Sequence, residues 1–361
     1  MNKGSNYTIK KRTSVKTKKN QVSKTRRNPI SKDKFKDIKN FKKFISSVIK
    51  SCNHSKTCYD KLFNYPYHEL LIYKAIELKL IDIIGCNGYF DEFNFIDRKG
   101  ISQVYAVCKN KKKCNKIIAK IIDDDHEKEP EILRLLTKNI VMKDVSPNIA
   151  VYYSHIKCDN NSRLISSYKF NESFNKNKYK TSILFTEYID GITLDDWLRK
   201  SHSLEEHLSI LFQIIYTLSV LQEKYKLVHN DLHGSNIMLK KTKGIKNSYW
   251  IYNYKGKTYY IPDIGYQVKI VDFGLSSIYK KNIITDGSPK IFNKSKDLNS
   301  LYYVYITFFN RNTPMDIKAI FIYIKEYPNK YKDLYKILRM YMFIEMTNKP
   351  KTIKVIGEYK Y

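Results

Sequence analysis

No two cysteines in this chain stand in a C-x-x-C pair. The six, Cys52, Cys58, Cys86, Cys108, Cys114 and Cys158, are scattered. Cys52, His54 and Cys58 make at most half of a metal site, and no second half follows at zinc spacing. Free thiols in a reducing compartment are therefore expected. No apolar run approaches the roughly 18–20 residues of a membrane span, and the N-terminus lacks the apolar stretch of a signal peptide. These absences predict a soluble, intracellular protein with no membrane partner. Acidic residues are also scarce, 35 Asp and Glu against 66 Lys and Arg, for a formal charge of +31. Residues 1–43 carry 16 of those basic residues and only Asp33 and Asp37 as acids, a net +14. This stretch has too few large apolar side chains to bury, so it is expected to be a disordered basic arm. The runs Lys10-Lys11-Arg12, Lys18-Lys19, Arg26-Arg27 and Lys42-Lys43 suit an acidic partner, nucleic acid or nuclear import. A solvated tail is the plainer reading, and the near absence of interleaved aromatics argues against single-strand binding.

What is present is a 361-residue chain with 42% hydrophobic residues and 31 tyrosines, enough for a two-lobed domain with an extension. From Phe44 to about Ile84 apolar residues such as Leu70, Leu71, Tyr73, Ile76 and Leu80 recur at helical spacing, predicting a helical preface over 44–90. The centre of the chain is Val228-His229-Asn230-Asp231-Leu232-His233-Gly234-Ser235-Asn236-Ile237-Met238-Leu239. Here a carboxylate and a carboxamide stand five residues apart in a polar loop between apolar runs that read as strands. Further on, the strand-like Val268-Lys269-Ile270-Val271 ends in Asp272-Phe273-Gly274. Phosphoryl transfer needs a carboxylate at the acceptor hydroxyl and oxygen ligands for Mg²⁺ on the nucleotide phosphates, and Asp231, Asn236 and Asp272 supply that set.

The two stretches resemble the protein-kinase catalytic loop H-R-D-L-x-x-x-N and the D-F-G that follows it. The resemblance implies an α+β bilobal fold, with a β-rich N-lobe over about 91–188 and a helical C-lobe over about 189–361. It implies ATP and Mg²⁺ as cofactors, a protein substrate, and transfer to Ser/Thr hydroxyls. Asp231 would orient the acceptor hydroxyl, with Asn236 and Asp272 on the metal. In Ile117-Ile118-Ala119-Lys120-Ile121-Ile122 the Ala119-Lys120 pair is similar to the family's V-A-I-K, so Lys120 would grip the phosphates. Glu129, which with Ile132, Leu133 and Leu136 fits E-x-x-I-L-x-x-L, would position Lys120 and is preferred over Glu131; Pro130 favours a helix starting there, which leaves Glu129 at its mouth. Thr181 to Gly191 resembles the hinge, with backbone groups of Glu187 and Ile189 meeting adenine and Thr186 behind it. Asp297-Leu298-Asn299-Ser300-Leu301 resembles D-x-W-S-L, in which Asp297 would brace the catalytic loop. Ser146-Pro147-Asn148-Ile149 is similar to the turn that leaves the Glu129 helix. Thr193–Asp196 and Ser203–Glu206 carry helix-capping signatures, the second opening a helix with Leu208, Leu211, Ile214, Ile215, Leu218 and Leu221 on one face. Residues 240–266 read as an inserted β-hairpin. With the H-N-D-L-H loop and the Lys/Asn/Ile/Tyr-rich composition, this resembles the serine/threonine kinases of large nucleocytoplasmic DNA viruses, implying host cytoplasm or virion, with the nucleus open. From 311 onwards the chain reads as helical.

Three departures bear on function. Aligning Val104-Tyr105 with the end of G-x-G-x-x-G-x-V puts Asp97, Lys99 and Ser102 at glycine positions, leaving only Gly100 nearby, so the loop would cover ATP differently. Asn230 replaces the arginine that pairs with a phosphorylated activation loop, and the segment 275–296 is short and lacks A-P-E. Activity without phosphate on Ser276, Ser277, Thr285 or Ser288 is therefore expected. His233 replaces a lysine, as in small-molecule phosphotransferases resembling the aminoglycoside and choline kinases. A small-molecule kinase and a non-catalytic scaffold remain as alternatives to a Ser/Thr protein kinase.

Overall fold

The computed structural model describes residues 37–51, 60–82, 92–99, 102–110, 113–123, 128–158, 181–284, 289–327 and 334–361. The first helix, α1 (Ile38–Lys50), begins inside the segment expected to be a disordered arm. Asp37 caps it, its carboxylate accepting from the backbone N–H groups of Lys39 and Asn40. Phe41, Ile45 and Val48, one face at helical spacing, are buried. Three apolar residues on one face outweigh the local excess of lysine. A short 3₁₀ turn (Asp60–Asn64) and α2 (His68–Glu77) complete the described part of the preface.

An antiparallel five-stranded sheet follows, in the order β1-β2-β3-β5-β4, from β1 (Glu92–Lys99), β2 (Ser102–Asn110), β3 (Lys113–Asp123), β4 (Tyr152–Cys158) and β5 (Thr181–Glu187). Lys99 pairs with Ser102 across the β1–β2 hairpin. Gly100 lies outside the described residues, as do the side chains of Asp97, Lys99 and Ser102 and the whole of Cys52, His54 and Cys58. Between β3 and β4 stands α3 (Lys128–Leu136), continued by a π-helical turn at Thr137–Val141.

The second lobe starts with β6 (Gly191–Thr193), α4 (Leu194–Leu198) and α5 (Leu204–Tyr225). Ser203 and Glu206 form the reciprocal capping box at the start of α5. At 22 residues α5 is long and apolar enough to cross a membrane, which corrects the expectation that no segment reaches that length; here it is mostly buried inside the lobe. The sequence suggested one apolar stripe, yet Ser209, Gln213, Thr217 and Ser219 on its other faces are buried too. Several of those polar groups find partners. Gln213 Oε1 accepts from Val268 N–H at 3.0 Å and from Asn148 Nδ2 at 2.9 Å, and Ser209 Oγ donates to the Pro262 carbonyl at 3.0 Å. Buried polar atoms on a helix stay tolerable when they are paired in this way.

Next come β7 (Leu227–Val228), the polar loop, β8 (Ile237–Lys241), the hairpin β9 (Ser248–Tyr254) and β10 (Lys257–Pro262), β11 (Tyr266–Ile270) and β12 (Ser277–Ile278). The chain finishes with α6 (Lys296–Thr307), α7 (Met315–Glu326), α8 (Leu334–Ile337), α9 (Tyr341–Ile344) and a last strand, β13 (Lys354–Lys360). That strand corrects the all-helical tail. It pairs in parallel with β9, so the inserted hairpin becomes a three-stranded sheet, β10-β9-β13. The inward tyrosines of this sheet, Tyr252, Tyr254 and Tyr259, pack on Phe212 and Tyr216 of α5 at ring separations of 4.7–5.4 Å. A five-stranded sheet in the first lobe and a largely helical second lobe with smaller sheets give the α+β architecture that was expected.

Candidate active site

The polar loop between β7 and β8 is held by hydrogen bonds to groups distant in sequence. Asp297, fully buried on α6, accepts from the backbone N–H of His229 at 2.8 Å and of Asn230 at 3.1 Å. Burial pushes its carboxyl above the usual range, while His229 and these N–H groups pull against the shift. The His229 ring meets the Val271 carbonyl at 3.0 Å and lies 4.8 Å from the Phe273 ring. Asn230 sits at φ 68°, a left-handed conformation asparagine tolerates better than most residues. This geometry presents Asp231, half exposed, at the cleft.

Asn236 Nδ2 donates to the Asp231 carbonyl at 2.9 Å and to its Oδ2 at 3.0 Å, fixing the five-residue loop as a closed unit. Val271 N–H donates to the Asn236 carbonyl at 3.0 Å, which brings Asp272 beside Asn236. Asp272 itself has φ 61°. His233 Nε2 lies 3.6 Å from Asp231 Oδ2 and is exposed. Gly234 has no room for a side chain: a Cβ would come within 1.8 Å of Asp195 Oδ1. Asp195 also accepts from Ser235 Oγ at 2.9 Å. The sequence reading missed Asp195, although its place in the Thr193–Asp196 capping segment put it at the start of α4. A cleft of about 500 Å³ opens beside Asp231, lined by Asp195, Arg199, Tyr303, Thr307 and Phe308 among others.

From the other lobe, Lys120 on β3 pairs in register with Val104 on β2 and Leu184 on β5. Its ammonium lies 2.9 Å from Glu129 Oε2 and 2.6 Å from Asp272 Oδ1. Burial disfavours the Lys120 charge, but Glu129 and Asp272 outweigh it and hold the pKa above its ordinary value. Burial lifts the Glu129 carboxyl, with Lys120 pulling against it. Glu129 is the second residue of α3 and is buried, whereas Glu131 is exposed. Proline at the third helical position leaves Glu129 in the first turn, facing the sheet. At the end of β5, Glu187 and Ile189 are buried around exposed Tyr188. The Glu187 N–H donates to the Val151 carbonyl at 2.9 Å.

Asp272 and Asn236 offer hard oxygen donors of the kind Mg²⁺ prefers, and they stand together with a lysine beside them. Mg²⁺ sites of this type complete their shell with substrate phosphates and water rather than an all-protein cage. The donor set fits the ion.

The chain matches the model of the haspin-like kinase domain over residues 1–307. It is 33% identical over 155 residues to "Putative serine/threonine-protein kinase R400" of Acanthamoeba polyphaga mimivirus, covering 39% of this chain and 33% of that protein. It is 37% identical over 94 residues to the serine/threonine-protein kinase haspin of Bos taurus, covering 26% of this chain and 12% of that protein. To "Probable kinase 098L" of Invertebrate iridescent virus 3 it is 35% identical over 112 residues, covering 31% and 20%. The chain thus spans a third or less of the length of these relatives.

Proposed function

Since the chain belongs to the haspin-like kinase domain family, we propose that it transfers the γ-phosphate of ATP to Ser/Thr hydroxyls of a protein substrate. One observation carries the reading: the Lys120–Glu129–Asp272 ion-pair chain adjoins the Asp231–Asn236 loop, because Val271 N–H, next to Asp272, donates to the Asn236 carbonyl. Asp231 orients the acceptor hydroxyl and takes its proton late in transfer. Lys120 holds the nucleotide phosphates, and Glu129 keeps that ammonium in place. Asn236 and Asp272 would hold Mg²⁺, which neutralises developing charge on the phosphates when bound. Backbone groups of Glu187 and Ile189 receive the adenine, with Val104 beside it; Gly100, expected at the phosphates, lies outside the described residues. His233, exposed and near Asp231, donates to the transferred phosphate in place of the usual lysine.

Activation-loop phosphorylation is not required in this reading. Where an arginine would await a phosphate, Asn230 Nδ2 donates to the Leu275 carbonyl at 2.8 Å. Ser276 Oγ donates to the His229 carbonyl at 3.1 Å, and β12 pairs with β7. Ser276 and Ser277 are fully buried, so the segment already rests on the loop through neutral contacts. Thr285 and Ser288 lie outside the described residues. The basic arm, at +14, is read as a docking segment for an acidic partner or nucleic acid. Host cytoplasm or virion, with the nucleus open, stays part of this proposal.

Phosphatase-treated protein, offered Mg-ATP with a mixed protein substrate and separately with a panel of small alcohols, tests this reading. Phosphate appearing on serine and threonine of the proteins supports it. Transfer only to the alcohols, or activity lost on dephosphorylation, counts against it.

A further inference from the structure

The described preface packs apolar residues of α2 against the sheet, and near the hinge it adds an electrostatic contact. Glu187, at the hinge end of β5, points its carboxylate inward, where it is 1% exposed. Lys240 on β8 reaches its Oε1 at 2.5 Å, and Lys269 on β11 reaches its Oε2 at 3.0 Å. Val151 N–H donates to the same Oε2 at 3.3 Å. The fourth member comes from α2: Glu69 Oε1 lies 3.4 Å from Lys240, with only 15% of its side chain exposed. His68 Nε2, 3.6 Å from Glu69, borders the group from the same helix. Two carboxylates thus balance two ammonium groups in the interior, and each element contributing one comes from a different part of the chain.

The position of this group matters as much as its balance. Lys240 stands four residues after Asn236, Lys269 stands three residues before Asp272, and Glu187 opens the hinge. A shift in the cluster therefore acts first on the adenine contact, which Glu187 itself makes. Removing one partner of a buried ion pair is costly because it strands the other charge. Without Glu69, two lysines face one glutamate, and the excess positive charge pulls Glu187 away from the Val151 N–H.

We propose that Glu69 of the preface is a positioning residue for nucleotide binding, acting through Lys240 on the hinge residue Glu187. The preface is then part of the ATP site, and its undocking lowers nucleotide affinity. This rests on the reading of the site as an ATP site. It assigns a role to α2 that depends on charge balance rather than on packing alone.

The test uses the full chain with Mg-ATP as the probe, measuring calorimetric Kd together with KM and kcat. Glu69→Gln is expected to raise Kd and KM for ATP about three- to tenfold, the scale of coupling through residues that touch no ligand. Its kcat should stay within about twofold, since the reacting groups are untouched. Glu69→Gln combined with Lys240→Met leaves Glu187 and Lys269 as a neutral pair. It should return Kd to within about twofold of the original, a non-additive result that lost packing does not produce. Unchanged Kd in folded Glu69→Gln, or a double variant weaker than the single, would overturn the proposal. So would failure of both variants to fold, since the remaining neutral pair would then not hold the hinge. If the unmodified chain binds no Mg-ATP, the assignment of the site itself falls, and the proposal with it.

Discussion

Truncating Asp297 tests how the catalytic loop is held. In Asp297→Ala the N–H groups of His229 and Asn230 lose their acceptor in a fully buried place. Hydrogen bonds to a charged group contribute about 1.5–3 kcal/mol each, so two give roughly 3–6 kcal/mol. Burial makes the ionised carboxylate itself unfavourable, which offsets part of that and leaves about 2–4 kcal/mol. With a urea m-value of about 3 kcal/mol per molar, the midpoint should fall by about 1 M. The buried indoles of Trp197 and Trp250 report unfolding by fluorescence. The kinetic effect should be larger than the stability effect implies, because Asp231 follows Asn230 directly and a 1 Å misplacement costs about 100-fold in rate. Asp297→Asn keeps the size but sets an amide donor against one N–H, so it should recover less than half of the loss. An unchanged midpoint with unchanged kcat in Asp297→Ala would refute the bracing role.

Two further outcomes follow from the same physical terms. Burial alone would raise the Glu187 carboxyl, but Lys240 and Lys269 hold it down to about 2. A depressed folded pKa contributes stability present above the ordinary value near 4.5 and lost as pH falls towards 2, about 3 kcal/mol in all. Urea midpoints measured from pH 6 down to pH 3 should fall with a Glu187 component that Glu187→Gln abolishes; an identical slope in that variant would count against the ion-pair account. Gly234→Ala drives its methyl into the Asp195 carboxylate, costing about 1–3 kcal/mol and lowering kcat. Adding Asp195→Ala should relieve the clash in denaturation, and no relief would mean the loop is strained elsewhere.

The parts of this protein that could be read from sequence are those written in short spacings. Asp231 and Asn236 lie five residues apart, so their closed loop is nearly a local property. Lys120 and Glu129 are nine apart, and Pro130 marked the first turn of the helix that carries the glutamate. Asp297 is remote from the loop it braces, and only the family pattern connected them. What escaped the reading depends on distance. Glu69 and Glu187 meet through Lys240 across more than a hundred residues, and a lone glutamate on a helix looks like solvated surface. The sequence marked only the apolar stripe of α5; its buried polar faces depend on Asn148, Val268 and Pro262, which lie far away in sequence. β13 is short and follows helices; its Val355-Ile356 and Tyr359 were a strand signal too weak to stand without β9 beside it. At the other end, only Phe41 of the buried face Phe41, Ile45 and Val48 falls within residues 1–43, and one apolar residue among so many lysines and arginines is no helix signal.

The most direct test of the central claim is transfer of labelled γ-phosphate from Mg-ATP to protein serine and threonine by the unmodified chain and by Asp231→Ala. The account predicts transfer by the first, loss of about 100-fold or more in the second, and equal ATP affinity in both, since Asp231 faces the acceptor. Undiminished transfer by Asp231→Ala, or ATP binding without transfer by the unmodified chain, would contradict it.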